Sequence, residues 1–409
     1  MTVPHLFKGV AVVIDNGIGT GEAIDKILAS IRASGGHAIE LAKLPPPDYD
    51  LEHFARVSFF IMDWNLANDE NGRPLEAEVR LPEMLDKQMV ADNIEFLKRL
   101  RKSRHAPVVI FTNENPEIVI DELSADAELH KSVQESHILV KRKVDVADKV
   151  YEILEDWGKA TPSVLTLKTW ERNYIRAAND LFIDLHNRTP YWPVLLWQTF
   201  GADDIPPEVE MNKLLNRLVE SRMDLLVLEL KPFMETVDQE RAKNHADYIK
   251  SMNGVLEGER FLRASKLKDG IYAPGDIFER VVSEDKRTYW MNIRAECDCL
   301  RGSDSMELYL LQVKPVENPE ISRQFGLISN EKDTEAVVFA MMDGKTYTVK
   351  FKDMTVKELR KMKDMTRVGR LLPPFVTRVQ QRYASYLQRP GMPRIPEVFY
   401  PAAEEAVET

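Results

Sequence analysis

Over the first 160 residues, short uninterrupted apolar runs alternate with stretches whose apolar residues recur every three to four positions. Runs without polar alternation suit strands covered on both faces, and the intervening helical periods supply the cover. The pattern predicts strands at residues 10–14, 37–41, 57–62, 107–111 and 138–140. A helix is expected over 22–33, where Ala23, Ile24, Ile27, Leu28 and Ile31 share a face and Gly35 and Gly36 form the stop. Further helices are expected over 90–101 and 146–157, the last with Asp145 as N-cap. Five strands alternating with helices point to an α/β fold, a flavodoxin-like doubly wound parallel sheet that binds ligands outside the carboxyl ends of its strands.

Beyond a proline-containing break at residues 159–164 the period stays helical to about residue 224, with Trp170, Tyr174, Ala177, Ala178, Leu181, Phe182 and Leu185 on one stripe. From about residue 269 the period becomes two. Strands are expected at 288–300, 306–313, 335–342 and 345–351, the last two joined through Asp343-Gly344, a two-residue hairpin signal. A helix starting near Pro374 and running past Val379, Tyr383 and Leu387 closes the pattern. The expected organisation is a parallel-sheet domain over 1–158 and a helical connector over 159–265. A small antiparallel β-rich α+β domain over 266–400 and a tail over 401–409 complete it.

At 409 residues the chain is long enough for two or three cores. It has no run of 18 uncharged apolar residues and no charged-then-apolar leader at its start, so the expected location is the cytoplasm, without a membrane partner. Cys297 and Cys299, two positions apart in an expected strand, would share a face as a packed pair rather than as metal ligands. The net charge of −11 is unevenly placed. Residues 341–395 carry thirteen lysines and arginines against four acids, a local +9 that leaves −20 for the rest. Arg367, Arg370, Arg378 and Arg382 are the candidate contacts there for nucleic acid or another partner, with a short basic helix expected around Lys357, Arg360, Lys361 and Lys363. A solvated face turned toward the acidic body is the blander alternative.

In a doubly wound sheet the ends of strands one, three, four and five converge on one crevice. There the sequence places Asp15 with Asn16, Asp63, Thr112, and either Lys141 or Lys143. Two acids can hold Mg²⁺, which accepts only one or two protein carboxylates and keeps several waters. One acid can also be a phosphoryl acceptor, with a hydroxyl and an ammonium to bind the new phosphoryl oxygens. Gly17, Gly19 and Gly21 after the first strand do not have dinucleotide-binding spacing, and no nucleophile elbow, Walker loop or paired-histidine metal motif occurs.

The runs Val12-Val13-Ile14-Asp15-Asn16, Phe60-Ile61-Met62-Asp63-Trp64-Asn65, Val109-Ile110-Phe111-Thr112 and Leu139-Val140-Lys141-Arg142-Lys143 resemble the receiver domain of bacterial response regulators, over residues 8–158. The resemblance implies Asp63 as phosphoacceptor, Asp15 and Asp63 as Mg²⁺ ligands with the backbone carbonyl of Asn65, Thr112 as switch hydroxyl, and Lys143 ahead of Lys141 as switch lysine. It also implies a two-component signalling role with a histidine kinase as partner, and no enzymatic activity beyond autophosphorylation of an aspartate from a phosphodonor. Two departures stand out. Asn16 replaces the second acid usual after strand one, and residues 66–89 form an insert expected to overhang the crevice. Residues 370–396, with Gly275-Asp276-Ile277-Phe278 and Cys297-Asp298-Cys299, are similar to the C-terminal part of bacterial receiver-containing proteins associated with phage defence. That likeness implies a GHKL-type ATPase as a partner and leaves open a pseudo-receiver scaffold.

Overall fold

The computed structural model describes residues 6–20, 23–54, 56–68, 82–103, 106–113, 115–129, 137–146, 148–284, 286–301, 305–315, 340–388 and 396–399. The chain forms two compact units, residues 1–181 with 219–233, and residues 182–218 with 234–409. The expected 158/159 boundary falls inside the first unit, and the expected connector is divided between the two.

The first unit is built on five parallel strands: β1 (Val10–Ile14), β2 (His37–Leu41), β3 (Val57–Asp63), β4 (Val108–Thr112) and β5 (Ile138–Arg142), in the order β2-β1-β3-β4-β5. Helices α1 (Ala23–Ala33), α2 (Glu83–Ser103), α3 (Pro116–Ala125), α4 (Lys143–Val146) and α5 (Val150–Ala160) alternate with them. The uninterrupted apolar runs have the cause inferred from the sequence: each central strand buries both faces. Ala11, Val13, Phe59, Ile61, Val109 and Phe111 meet Ile24, Ile27, Ile31, Leu154 and Trp157 on one side. On the other, Val12, Ile14, Phe60, Met62 and Ile110 meet Phe96, Leu97, Leu100, Val119 and Leu123. Strand order and the α/β class agree with the sequence reading.

Several boundaries differ. Helix α2 begins at Glu83 rather than at residue 90, so the insert is shorter than expected; its residues 69–81 lie outside the described set. The expected 146–157 helix is two helices, with Lys143 opening α4, and Asp145 therefore caps nothing. Helix α3, which the apolar pattern did not reveal, starts where Asn115 accepts a hydrogen bond from the Glu117 N–H and Pro116 occupies the first turn. Helix α6 (Pro162–Arg188) buries Val164, Ala177 and Leu181, while Trp170 and Phe182 of the expected stripe remain exposed.

The remaining helices are α7 (Trp192–Ala202), α8 (Pro207–Glu220), α9 (Met234–Lys243) and α10 (His245–Arg260). The second unit's sheet comprises β6 (Phe261–Arg263), β7 (Asp276–Ser283), β8 (Lys286–Asn292), β9 (Glu307–Pro315), β10 (Ala340–Met342), β11 (Lys345–Glu358) and β12 (Thr366–Leu371), with α11 (Glu296–Leu300) and α12 (Phe375–Gln388). The seven strands are antiparallel in the order β10-β11-β9-β8-β7-β12-β6. Asp343 and Gly344 both take positive φ, 54° and 67°, as a two-residue hairpin turn requires. Residues 335–339 of the expected strand lie outside the described set.

Two expectations fail in this unit. Cys297 and Cys299 lie on α11, not on a strand; two positions are about 200° of helical turn, so Cys299 is buried and Cys297 exposed. The basic helix around residues 357–363 does not form, because β11 extends to Glu358 and only a single 3₁₀ turn follows it.

Candidate functional site

The carboxyl ends of β1, β3 and β5 bring together a buried trio. Asp15 follows β1, its N–H bonded to the Leu41 carbonyl at 2.9 Å, which fixes the backbone where the chain leaves the sheet. Its Oδ1 accepts from the Gly17 N–H at 2.7 Å, so the first glycine after β1 supports the carboxylate. Asp63 ends β3, and its Oδ1 accepts from the Asn65 N–H at 3.3 Å. Lys143, the first residue of α4, donates to Asp63 Oδ2 at 2.6 Å and lies 2.9 Å from Asp15 Oδ2. The relative exposures of Asp15, Asp63 and Lys143 are 0%, 4% and 4%. Few charges are so buried without a partner, and here two carboxylates share one ammonium.

That arithmetic leaves one negative charge in excess inside the protein. Burial pushes the Asp63 carboxyl up to about 7; the Lys143 ammonium pulls it back down and the Asp15 carboxylate adds to the rise. Burial alone would lower the Lys143 ammonium, but the Asp63 and Asp15 carboxylates outweigh it, and its pKa is raised. Lys143 thus stays charged while Asp63 is poised near neutrality.

Of the other sequence candidates, Thr112 is buried at the end of β4, one position beyond Phe111, which pairs in register with Asp63. Lys141 is exposed on β5 and does not join the trio. Asn65 is half-buried, and its side chain accepts from the Ala67 N–H at 3.1 Å. Asn16 donates from Nδ2 to the Ala67 carbonyl at 2.7 Å and to Asn68 Oδ1 at 3.0 Å. An ionised acid has no hydrogen to donate to the Ala67 carbonyl, so the residue that departs from an acidic pair ties the loop after β1 to the loop after β3.

Sequence reasoning missed a second set of supports. The fully buried Asn93 on α2 donates to the Trp64 carbonyl at 2.8 Å, and Trp64 Nε1 donates to Glu122 Oε2 on α3 at 2.9 Å. Together they fix the chain immediately after Asp63. The available signal was Asn93 itself, a polar residue in line with Val90, Leu97 and Leu100 on the helix's core face.

Among the described residues no group of three or more His, Cys, Asp or Glu side chains is arranged to hold a metal ion. Two carboxylates and a backbone carbonyl do suit Mg²⁺, which takes few protein carboxylates. Asp15 Oδ2, a buried oxygen, has the Lys143 ammonium 2.9 Å away as its counter-charge.

The basic candidates belong to the second unit. Arg370 bonds Asp276 through Nε at 2.6 Å and the Ile271 carbonyl at 3.0 Å; Arg367 bonds the Ile271 and Lys268 carbonyls at 2.7 and 2.9 Å. The Arg367 guanidinium also lies 5.1 Å from the centre of the Tyr272 ring. Both arginines therefore hold a loop and a fully buried Asp276 in place. Arg378 is exposed and Arg382 half-buried on α12. No described helix is long and apolar enough to cross a membrane. No family model, curated protein or solved structure matches the chain.

Proposed function

We propose that the parallel-sheet unit is a receiver-like phosphoacceptor domain of a signalling protein, and that its state controls the antiparallel-sheet unit as an interaction module. The observation that carries this reading is the Lys143 ammonium held between Asp63 Oδ2 at 2.6 Å and Asp15 Oδ2 at 2.9 Å in a buried crevice at the strand ends. Asp63 is the acceptor. Its ionised oxygen attacks the phosphorus of a small acyl phosphate, the bond from phosphorus to the departing carboxylate breaks, and an aspartyl phosphate remains. Lys143 and the Thr112 hydroxyl contact the new phosphoryl oxygens, exchanging a carboxylate contact for a phosphoryl one.

Asp15, Asp63 and the Asn65 carbonyl would hold Mg²⁺, which supplies charge neutralisation for the transferring group. The excess of carboxylates over ammonium in the buried trio supports that assignment. A histidine kinase is the partner class that the receiver resemblance implies. Incubation with acetyl phosphate and Mg²⁺ should add one phosphoryl group by intact mass to the wild type and none to Asp63→Asn. No addition to either would sink the proposal.

One observation favours a second reading, a pseudo-receiver scaffold in a defence system with a GHKL-type ATPase rather than a kinase as partner: Asn16 is engaged in the Ala67 and Asn68 contacts instead of the metal site. Under that reading Asp63→Ala leaves partner binding intact. Nucleic-acid binding through the basic end draws less support, because Arg367 and Arg370 are committed to Asp276 and loop carbonyls.

A further inference from the structure

At the opposite end of the parallel sheet, Lys8, Arg56, Lys168 and Arg172 line a cavity of about 250 Å³ together with Ser58 and Glu171. Lys8 precedes β1, Arg56 immediately precedes β3, and Ser58 is the second residue of that strand; Lys168, Glu171 and Arg172 occupy neighbouring turns of α6. The seven residues of β3 separate this cavity from Asp63 by about 20 Å at roughly 3.3 Å per residue. It is a different site.

Its charge is the reverse of the chain's. Lys168 is buried and pairs with Glu171 Oε2 at 2.7 Å, which cancels one charge and leaves a local +3 in a protein of net −11. Lys8, Arg56 and Arg172 are exposed at the rim. Like charges gathered around a concavity repel one another until an anion enters, and the low-dielectric walls strengthen both effects. Guanidinium forks match phosphate oxygens in pairs, and a hydroxyl such as that of Ser58 adds a further donor. At about 30 Å³ per water the cavity has room for roughly eight waters, the scale of a diphosphate rather than of a polymer. We infer that this cavity binds a small, free phosphorylated molecule of the diphosphate or phosphoester class.

The test uses the full chain and inorganic pyrophosphate, followed by titration calorimetry. Wild-type protein should bind, with affinity falling several-fold between low and physiological salt. The double variant Arg56→Glu/Arg172→Glu, made at exposed side chains, should bind at least tenfold more weakly with an unchanged circular dichroism spectrum. Arg56→Lys/Arg172→Lys, which keeps charge but loses the forks, should fall between the two. No binding by the wild type overturns the inference, and binding equal in the charge-reversed variant would mean an adventitious ion only. Sedimentation with phosphoinositide vesicles that pyrophosphate abolishes would overturn the free-ligand assignment in favour of a lipid headgroup.

Discussion

Replacing Lys143 with Met keeps the length and most of the volume of the side chain but removes the ammonium from between two buried carboxylates. At an effective dielectric of about 20, contacts of 2.6 and 2.9 Å each supply roughly 6 kcal/mol of attraction. Desolvation of three charges and repulsion between Asp15 and Asp63 take back more than half of that sum. Breaking a buried pair by deleting one partner costs about 3–5 kcal/mol, because the remaining charge is left uncompensated. That loss should appear in full at pH 8, above the Asp63 value of about 7, where that buried carboxyl must ionise without a counter-charge. At pH 5 the Asp63 carboxyl, raised by burial, holds its proton, and the loss should shrink toward about 1 kcal/mol, the worth of an ordinary hydrogen bond. Native-state hydrogen exchange of the β1 and β3 amides reads the opening free energy of this sheet without interference from the second unit. An equal loss at both pH values, or a loss below about 1 kcal/mol at pH 8, would refute the charge-balance reasoning.

Four further outcomes follow. Carbon-detected NMR should place the Asp63 titration near the value of about 7, and Asp15→Asn should move it down by removing a neighbouring negative charge. Because the folded protein holds that proton between about pH 4 and 7 while the unfolded chain does not, stability from this group falls as pH rises through that window; Asp63→Asn should remove the slope. Asp276→Ala leaves the Arg367 and Arg370 guanidinium groups beside an empty, fully buried position, so chemical denaturation should show a loss of about 3–5 kcal/mol in the second unit. Gly369→Ala would place a Cβ 2.1 Å from the Phe261 ring and 2.5 Å from the Leu262 carbonyl, and since backbone yields less than a side chain, a loss near the top of roughly 1–3 kcal/mol is expected by the same assay.

The central strands were readable because burial on both faces leaves no room for polar alternation; β4 shows this in full, and β1 and β3 at every position but one. Their ends located Asp15, Asp63 and Thr112. The lysine could not be settled from sequence, since the choice depends on where β5 stops. It continues to Arg142, and the chain turns into α4 at Lys143, directing that residue alone to the carboxylates. Cys297 and Cys299 misled for the opposite reason. A short polar-apolar alternation has period two on paper, but β8 ends at Asn292, whose side chain accepts from the Arg294 N–H and donates to the Ala273 carbonyl. The basic helix failed similarly, because β-sheet pairing with β9 carries β11 through Lys357. Long-range partners, such as Asp276 for Arg370 at a separation of 94 residues, leave no local trace.

The most direct measurement locates the phosphoryl group. After incubation with acetyl phosphate and Mg²⁺, borohydride reduction converts an aspartyl phosphate to homoserine, and peptide mass mapping then identifies the position. Homoserine at residue 63, absent without phosphodonor and absent in Lys143→Met, is the expected result. Modification at another residue, or none in folded wild-type protein, would contradict Asp63 as the acceptor.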